Sequence, residues 1–229
     1  MKNFFNWSGG KDSSFALYKA LQKGVKVDLL LTTLSEKYRR ISMHGVKEKL
    51  LDQQARQLGI PIKKIFLPED ASMEDYNQIY TGVLNELKSE GFTTAYFGDI
   101  YLEDLRKYRE AKLAEVGIST EFPIWGIPTN ELAISFLDEG FQTKIVAINS
   151  EKLDKSFVGL DFSKDFLEKL PNDVDPCGEN GEFHSFCFEG PIYSKPISIQ
   201  VDEIIERTYD LDKEKGLKST YYFAELNLK

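Results

Sequence analysis

Along the first half of the chain, short apolar runs alternate with longer amphipathic stretches. NFFNW (3–7) predicts a short buried strand. SSFALYKALQKG (13–24) predicts a helix, with Phe15, Leu17, Tyr18 and Leu21 on a broad apolar stripe and Gly24 as its C-terminal cap. VDLLLTTL (27–34) predicts a second strand, GVKEKLLDQQARQL (45–58) a helix stopped by Gly59, and IKKIFLP (62–68) a third strand. Residues 72–90 predict a helix opened by Ser72 with Asp75 three positions on, close to a capping box. TTAYFGDI (93–100) predicts a fourth strand, and 103–116 a fourth helix ended by Gly117.

Strands alternating with helices of this length imply βαβ units, hence an α/β fold with a doubly wound parallel sheet. In such sheets ligands sit at the carboxyl ends of the strands, where strand order reverses. Two loops follow directly on strands and are rich in functional groups: Ser8–Ser14 and Gly98–Arg106. A strand order 3-2-1-4 makes them face each other across the switch point.

The texture changes after EFPIWGIPTN (121–130). A helix is expected at 130–139, then a strand, QTKIVAIN (142–149), then the loop-rich LPNDVDPCGENGEFHSF (170–186). Residues 192–228 read as strands joined by a Lys/Glu-rich turn. The expected organisation is a first domain over 1–122 and a smaller α+β domain over 123–229.

Composition narrows the class. In 229 residues, 41% are hydrophobic and 29% charged, as in ordinary soluble proteins. No run approaches the ~20 apolar residues of a membrane span. The N-terminus lacks the apolar run of a signal peptide, so the expected place is the cytoplasm, away from membranes. The two cysteines, Cys177 and Cys187, form neither a Cys-x-x-Cys pair nor a zinc pattern. With 29 Lys and Arg against 37 Asp and Glu, the net charge of −8 disfavours nucleic acid as a partner. A homodimer is compatible with the sequence.

The chemistry concentrates in FFNWSGGKDSSFALYKAL (4–21). A glycine-rich turn after a buried strand, opening into a helix, presents free N–H groups and the positive end of the helix dipole to an anion. Gly9 and Gly10 let the backbone close on phosphate oxygens, Ser8, Ser13 and Ser14 add hydroxyls, and Lys11 adds a cation. Asp12 near phosphates implies an intervening divalent metal, Mg²⁺. The pattern is not the kinase-type G-x-x-x-x-G-K-[ST], because Phe5 stands where its first glycine belongs and Asp12 follows Lys11.

SGGKDS (8–13) resembles the S-G-G-x-D-S loop of the ATP pyrophosphatases, the PP-loop family of HUP-like, adenine nucleotide alpha hydrolase-like folds. That resemblance implies that the loop grips the β,γ-pyrophosphate of ATP while the α-phosphate is transferred. Three further stretches, MHG (43–45), GDIYLEDLRKYREAKLAEVGI (98–118) and VDPCGENGEFHSFCFEGPIY (174–193), extend the likeness to the diphthine–ammonia ligase family. The resemblance implies adenylation of a carboxylate acceptor, with release of pyrophosphate, followed by displacement of AMP by ammonia.

Asp99, after Gly98 at the end of the fourth strand, is then expected to bind Mg²⁺ or a ribose hydroxyl. Arg106 is expected to balance phosphate charge, with Glu110 four residues on as its plain ion-pair partner. His44, at an expected helix start, is placed either near the nucleotide or as a capping or packing residue, and Thr33, ending the second strand, either at the adenine edge or as an ordinary β-branched strand residue. The acceptor is expected at Glu179, Asn180, Gly181, Glu182, Phe183 and His184, whose carboxylates suit an ammonium group and the deprotonation of ammonia. The family form of this loop is E-G-G-E-[FY]-E-T. The E-N-G-E-F-H form here resembles a bacterial subgroup with a suggested role in corrinoid (cobalamin) salvage. Two other readings of the residues stay open: a transfer-RNA thiolation or lysine-conjugating enzyme, with Cys177 and Cys187 as a sulfur relay, and a non-catalytic adenine-nucleotide sensor.

Overall fold

The computed structural model describes residues 1–41, 44–69, 71–212 and 217–229. Its first sheet holds β1 (Lys2–Asn6), β2 (Leu29–Ser35), β3 (Ile62–Leu67), β4 (Phe92–Tyr96) and β5 (Ser119–Glu121), all parallel, in the order β3-β2-β1-β4-β5. Between them run α1 (Lys11–Gln22), α2 (Glu48–Leu58), α3 (Met73–Ser89) and α4 (Glu103–Ala114). This is the doubly wound α/β sheet expected from the alternation, with β5 added at the edge.

The central strand shows why. Phe4 and Phe5 are both fully buried, on opposite faces of β1. Phe5 joins the core under α1 and α2 with Leu17, Leu30, Leu50 and Leu51. Phe4 joins the second core with Leu31, Leu84, Leu87, Ala95 and Leu113, under α3 and α4. Each such aromatic removed from water contributes roughly 1.5–3 kcal/mol.

Element ends depart from the sequence pattern where capping decides them. Helix α1 starts at Lys11, two residues before the expected start at Ser13, because Gly10 is its extended N-cap (φ −86°, ψ 179°). Lys11–Ser14 are therefore the helix's first turn, not loop. Helix α2 begins at Glu48 instead of 45, since Lys47 is still extended and bridges Arg40. The Ser72–Asp75 capping box of α3 is present, Ser72 Oγ accepting from Asp75 N–H at 3.1 Å and Ser72 N–H donating to Asp75 at 2.9 Å.

Beyond α5 (Thr129–Asp138), a second sheet is antiparallel in the order β7-β6-β9-β8. It consists of β6 (Gln142–Asn149), β7 (Phe183–Glu189), β8 (Ile199–Asp212) and β9 (Leu217–Leu228), with a short α6 (Lys164–Lys169) on the way. Strand β7 replaces the end of the stretch expected to be loop, because Phe183–Glu189 pairs with β6. The Lys/Glu-rich turn expected between the last strands falls at 213–216, outside the described residues. One core runs through both sheets, joining Phe5, Leu17 and Leu50 to Ile145, Phe186 and Cys187.

Candidate functional site

The start of α1 opens into a cleft of about 350 Å³. The first turn of a helix has N–H groups without intrahelical partners and a partial positive charge. The Lys11 amide already donates to Ser185 Oγ at 3.1 Å, the Asp12 amide faces its own carboxylate, and the Ser13 amide completes the first turn, where helix amides lack intrahelical partners. Ser8 and Ser13 hydroxyls lie 3.0 Å apart beside them, and both residues line the cleft.

The turn before the helix is held from behind. Gly9 (φ +76°) gives its carbonyl to Gln54 Nε2 and to the Cys187 amide, each at 2.9 Å. Gln54 is fully buried, also bonds the Cys187 carbonyl at 2.6 Å, and accepts from Trp7 Nε1 at 2.9 Å. A Cβ on Gly9 would stand 2.6 Å from Gln54 Oε1. Gly98, at the end of β4, lies so close to α1 that a Cβ would stand 2.9 Å from the Ser13 amide nitrogen. Any side chain there would cover the Ser13 amide. The two loops expected to face each other are thus in contact.

Charge at the cleft centres on Lys11 and Asp12. Lys11 is 2% exposed, its ammonium 2.6 Å from Asp12 and above the rings of Phe183 and Phe162. Burial alone would lower Lys11, but Asp12, Cys177 and Glu179 together outweigh it and hold the ammonium above its usual range. Burial is likewise the largest influence on Asp12 and pushes it up against the pull of Lys11. Asp12 still keeps 30% of its side chain open, so its carboxylate remains available to an added cation.

Asp99 lines the same cleft but is committed to Arg109, at 2.8 Å and 3.2 Å. Burial pushes its carboxyl up and Arg109 opposes that. Among the described residues, no group of three or more His, Cys, Asp or Glu is arranged to hold a metal. Mg²⁺ takes only one or two carboxylates when phosphates supply the rest. Asp12 fits that role; Asp99, already neutralised, does not fit it directly.

From the other sheet come Cys177–Glu179 and Phe183–Ser185. Glu179 receives the Ile100 amide on Oε1 at 3.0 Å, and its second oxygen has no partner among the described residues. Burial, then the charge of Asp12, pushes its carboxyl up to about 7. His44 and His184 stack at 4.4 Å between ring centroids, both lining the cleft beside Gly10. Burial drives both downward, His44 to about 4, so both are neutral at pH 7. His184 and Ser185 reach the cleft although consecutive, beside an irregularity in the β6–β7 register between Ile145 and Ala147.

Several expected residues are placed elsewhere. Arg106 is outside the cleft: it pairs with Glu110 at 2.7 Å and lies over Phe122 and Trp125. Thr33 pairs with Ile65 inside the sheet and does not line the cleft. Ser14 is fully buried, turned to the Gly10 carbonyl and the Tyr193 hydroxyl. Asn180 accepts from Tyr101 at 3.1 Å and, with Gly181, stays off the cleft. Of MHG (43–45), Met43 lies outside the described residues.

Glu182 is 2% exposed and accepts from Asp175 N–H (3.1 Å), Asn180 N–H (2.9 Å) and Asn180 Nδ2 (3.0 Å). It holds the 175–182 loop from within. Glu182→Ala is expected to leave those donors unpaired and to cost about 1–3 kcal/mol, read as a lower urea midpoint. An unchanged midpoint would contradict this placement.

Arg109, Ser185 and Gln54 were not singled out by the sequence reading. The signal for Arg109 was its place three residues after Arg106, one turn along the same helix. Cys177 and Cys187 are buried thiols pushed up to about 12 by desolvation, poorly suited to a sulfur relay that needs thiolates.

Two family models match the chain: the diphthamide synthase N-terminal domain over residues 1–120 and the diphthamide synthase C-terminal domain over residues 128–219. No curated protein matches. A solved structure from Methanocaldococcus jannaschii, described as a predicted subunit of a tRNA methyltransferase, matches at 18% identity and a TM-score of 0.40. The match covers 63% of this chain and 78% of that one.

Proposed function

The chain belongs to the diphthamide synthase family, and on that premise we propose that it is an ATP-dependent ligase. It adenylates a carboxylate, releases pyrophosphate, and amidates the acyl adenylate with ammonia. The observation that carries this reading is a buried, ion-paired Lys11 at the N-terminus of α1, facing a cleft shared by both sheets. Residues 1–122 supply the nucleotide side of that cleft and 123–229 the acceptor side.

In this reading the β,γ-phosphates rest on the Asp12 and Ser13 amides, the Ser8 and Ser13 hydroxyls and the Lys11 ammonium. Fixed donors of this kind stabilise the negative charge that builds on departing pyrophosphate, without reorganising at the moment of reaction. Mg²⁺ on Asp12, when bound, neutralises phosphate charge. Arg109, oriented by Asp99 and by the Phe97 ring at 4.6 Å, lines the cleft and offers N–H donors to the nucleotide in the place expected of Arg106, its charge shared with Asp99. Glu179 takes a proton from ammonia as it attacks, since a carboxylate poised near 7 serves as a base at neutral pH.

Arg109→Gln is expected to raise the KM for ATP about tenfold, in line with the loss of one charged contact. Arg106→Gln should leave it within about twofold, because an exposed i,i+4 pair is worth only ~0.3–0.5 kcal/mol. Steady-state kinetics separate the two, and the reverse ranking would return Arg106 to the site.

The reaction itself is tested by ³¹P NMR of ATP incubated with Mg²⁺, ammonium and a pool of small carboxylic acids. AMP and pyrophosphate in equal amounts support the ligase. ADP and orthophosphate overturn it.

A further inference from the structure

A second cavity, of about 450 Å³, opens at the carboxyl ends of β2 and β3. Ser35, Leu67 and Pro68 form its sheet side, and the β8–β9 hairpin forms the opposite wall with Arg207, Tyr209, Phe223 and Glu225. Adjacent residues divide the two spaces: His44 lines the cleft described above, and Gly45, seated against the Phe223 ring, lines this cavity. The two spaces thus share a wall at consecutive residues, His44 and Gly45.

Its walls are aromatic and largely open. Tyr38 is 46% and Tyr209 43% exposed, and Tyr209 packs edge-on against Phe223. Such faces on a water-exposed cavity suit a flat or apolar body.

Most of the charge around it is already matched. Arg40 pairs with Glu225, which also takes Lys47 at 3.0 Å. Glu69 takes Lys37 and the Tyr38 hydroxyl. Arg207 is different. Its guanidinium lies 5.8 Å from the centre of the Tyr38 ring and has no carboxylate partner among the described residues. A cation left unpaired over an aromatic wall presents a planar fork to a planar anion.

We propose that this cavity binds the body of the acceptor, a flat organic acid with an anionic group held by Arg207, and directs it past Gly45 toward the phosphate cleft. The assignment of the occupant as acceptor rests on the ligase reading above; the binding site itself does not.

The test uses 2-naphthoate, a flat carboxylate, as the probe in calorimetric titrations of the full chain, alongside equilibrium dialysis of ATP. Wild-type protein is expected to bind the probe whether or not ATP and Mg²⁺ are present. Arg207→Gln and Tyr209→Ala should each weaken probe binding at least tenfold and leave the Kd for ATP within twofold. Both positions are on an open hairpin face, and circular dichroism confirms that each variant is folded. Failure of the wild type to bind the probe, equal binding by the variants, or exclusion of the probe by ATP would each overturn the proposal, the last assigning the cavity to the nucleoside. If no pyrophosphate is released in the NMR experiment but the probe still binds through Arg207, the ligase reading is lost and the site stands.

Discussion

Lys11→Met is expected to abolish ATP-dependent pyrophosphate release while leaving the chain folded. The methionine keeps the apolar stem among Phe162 and Phe183, where the lysine side chain is buried. It removes the ammonium that lies at the start of α1, inside the cleft. Loss of a single fixed donor to a developing negative charge costs on the order of 10²–10³ in kcat, and a full positive charge in a water-poor cleft is worth at least as much. Folding survives because the partner left behind, Asp12, has 30% of its side chain open and can be hydrated. Arginine would not restore activity, since its planar fork is larger and pairs differently from an ammonium. Comparable turnover in the methionine variant would remove Lys11 from the chemistry.

Glu179→Gln is the second change with a large expected effect. Burial, and after it the charge of Asp12, raises its carboxyl to about 7. A base must be ionised to act, so kcat/KM for the wild type should rise with pH through about 7 and level off above it. The glutamine variant should lose that limb and about 10²–10⁴ in amide formation, with ATP binding retained. The same shift sets the sign for stability. The folded protein binds a proton here that the unfolded chain, at the ordinary carboxyl value, has already released. Stability from this group is therefore greatest at acid pH and declines as pH rises from the ordinary carboxyl range through about 7. Glu179→Gln should flatten that decline. A profile with the same limb in the glutamine variant would show that another group titrates.

The fold was legible because the parallel sheet writes itself in local pattern. Phe4 and Phe5 face different cores, and a strand covered on both sides reads as an unbroken apolar run. Gly59 and the Ser72–Asp75 box end and begin their helices as their chemistry predicts. Strand β7 was hidden because its first residues follow a glycine-rich acidic turn, and its pairing partner lies some forty residues upstream in β6.

The candidate site was legible only in part, for a reason of geometry. Glu179 and Glu182 sit three residues apart in one polar turn, and pattern alone does not say which faces the cleft. Packing decides it: Glu182 is drawn inward by the amides of Asp175 and Asn180, and Glu179 is left at the cleft. Arg106 and Arg109 lie one helical turn apart, and Asp99 selects the second. Gln54 ties Gly9 to Cys187 across 45 and 133 residues of sequence, a contact that no local spacing encodes.

The most direct measurement is a crystal structure of the chain with Mg²⁺ and α,β-methylene-ATP, in which the bond to be broken is blocked. The β- and γ-phosphates are expected on the Asp12 and Ser13 amides, with the Lys11 ammonium in contact and the metal against Asp12. A triphosphate seated away from the start of α1, with Lys11 still bound only to Asp12, would contradict the role given to this turn.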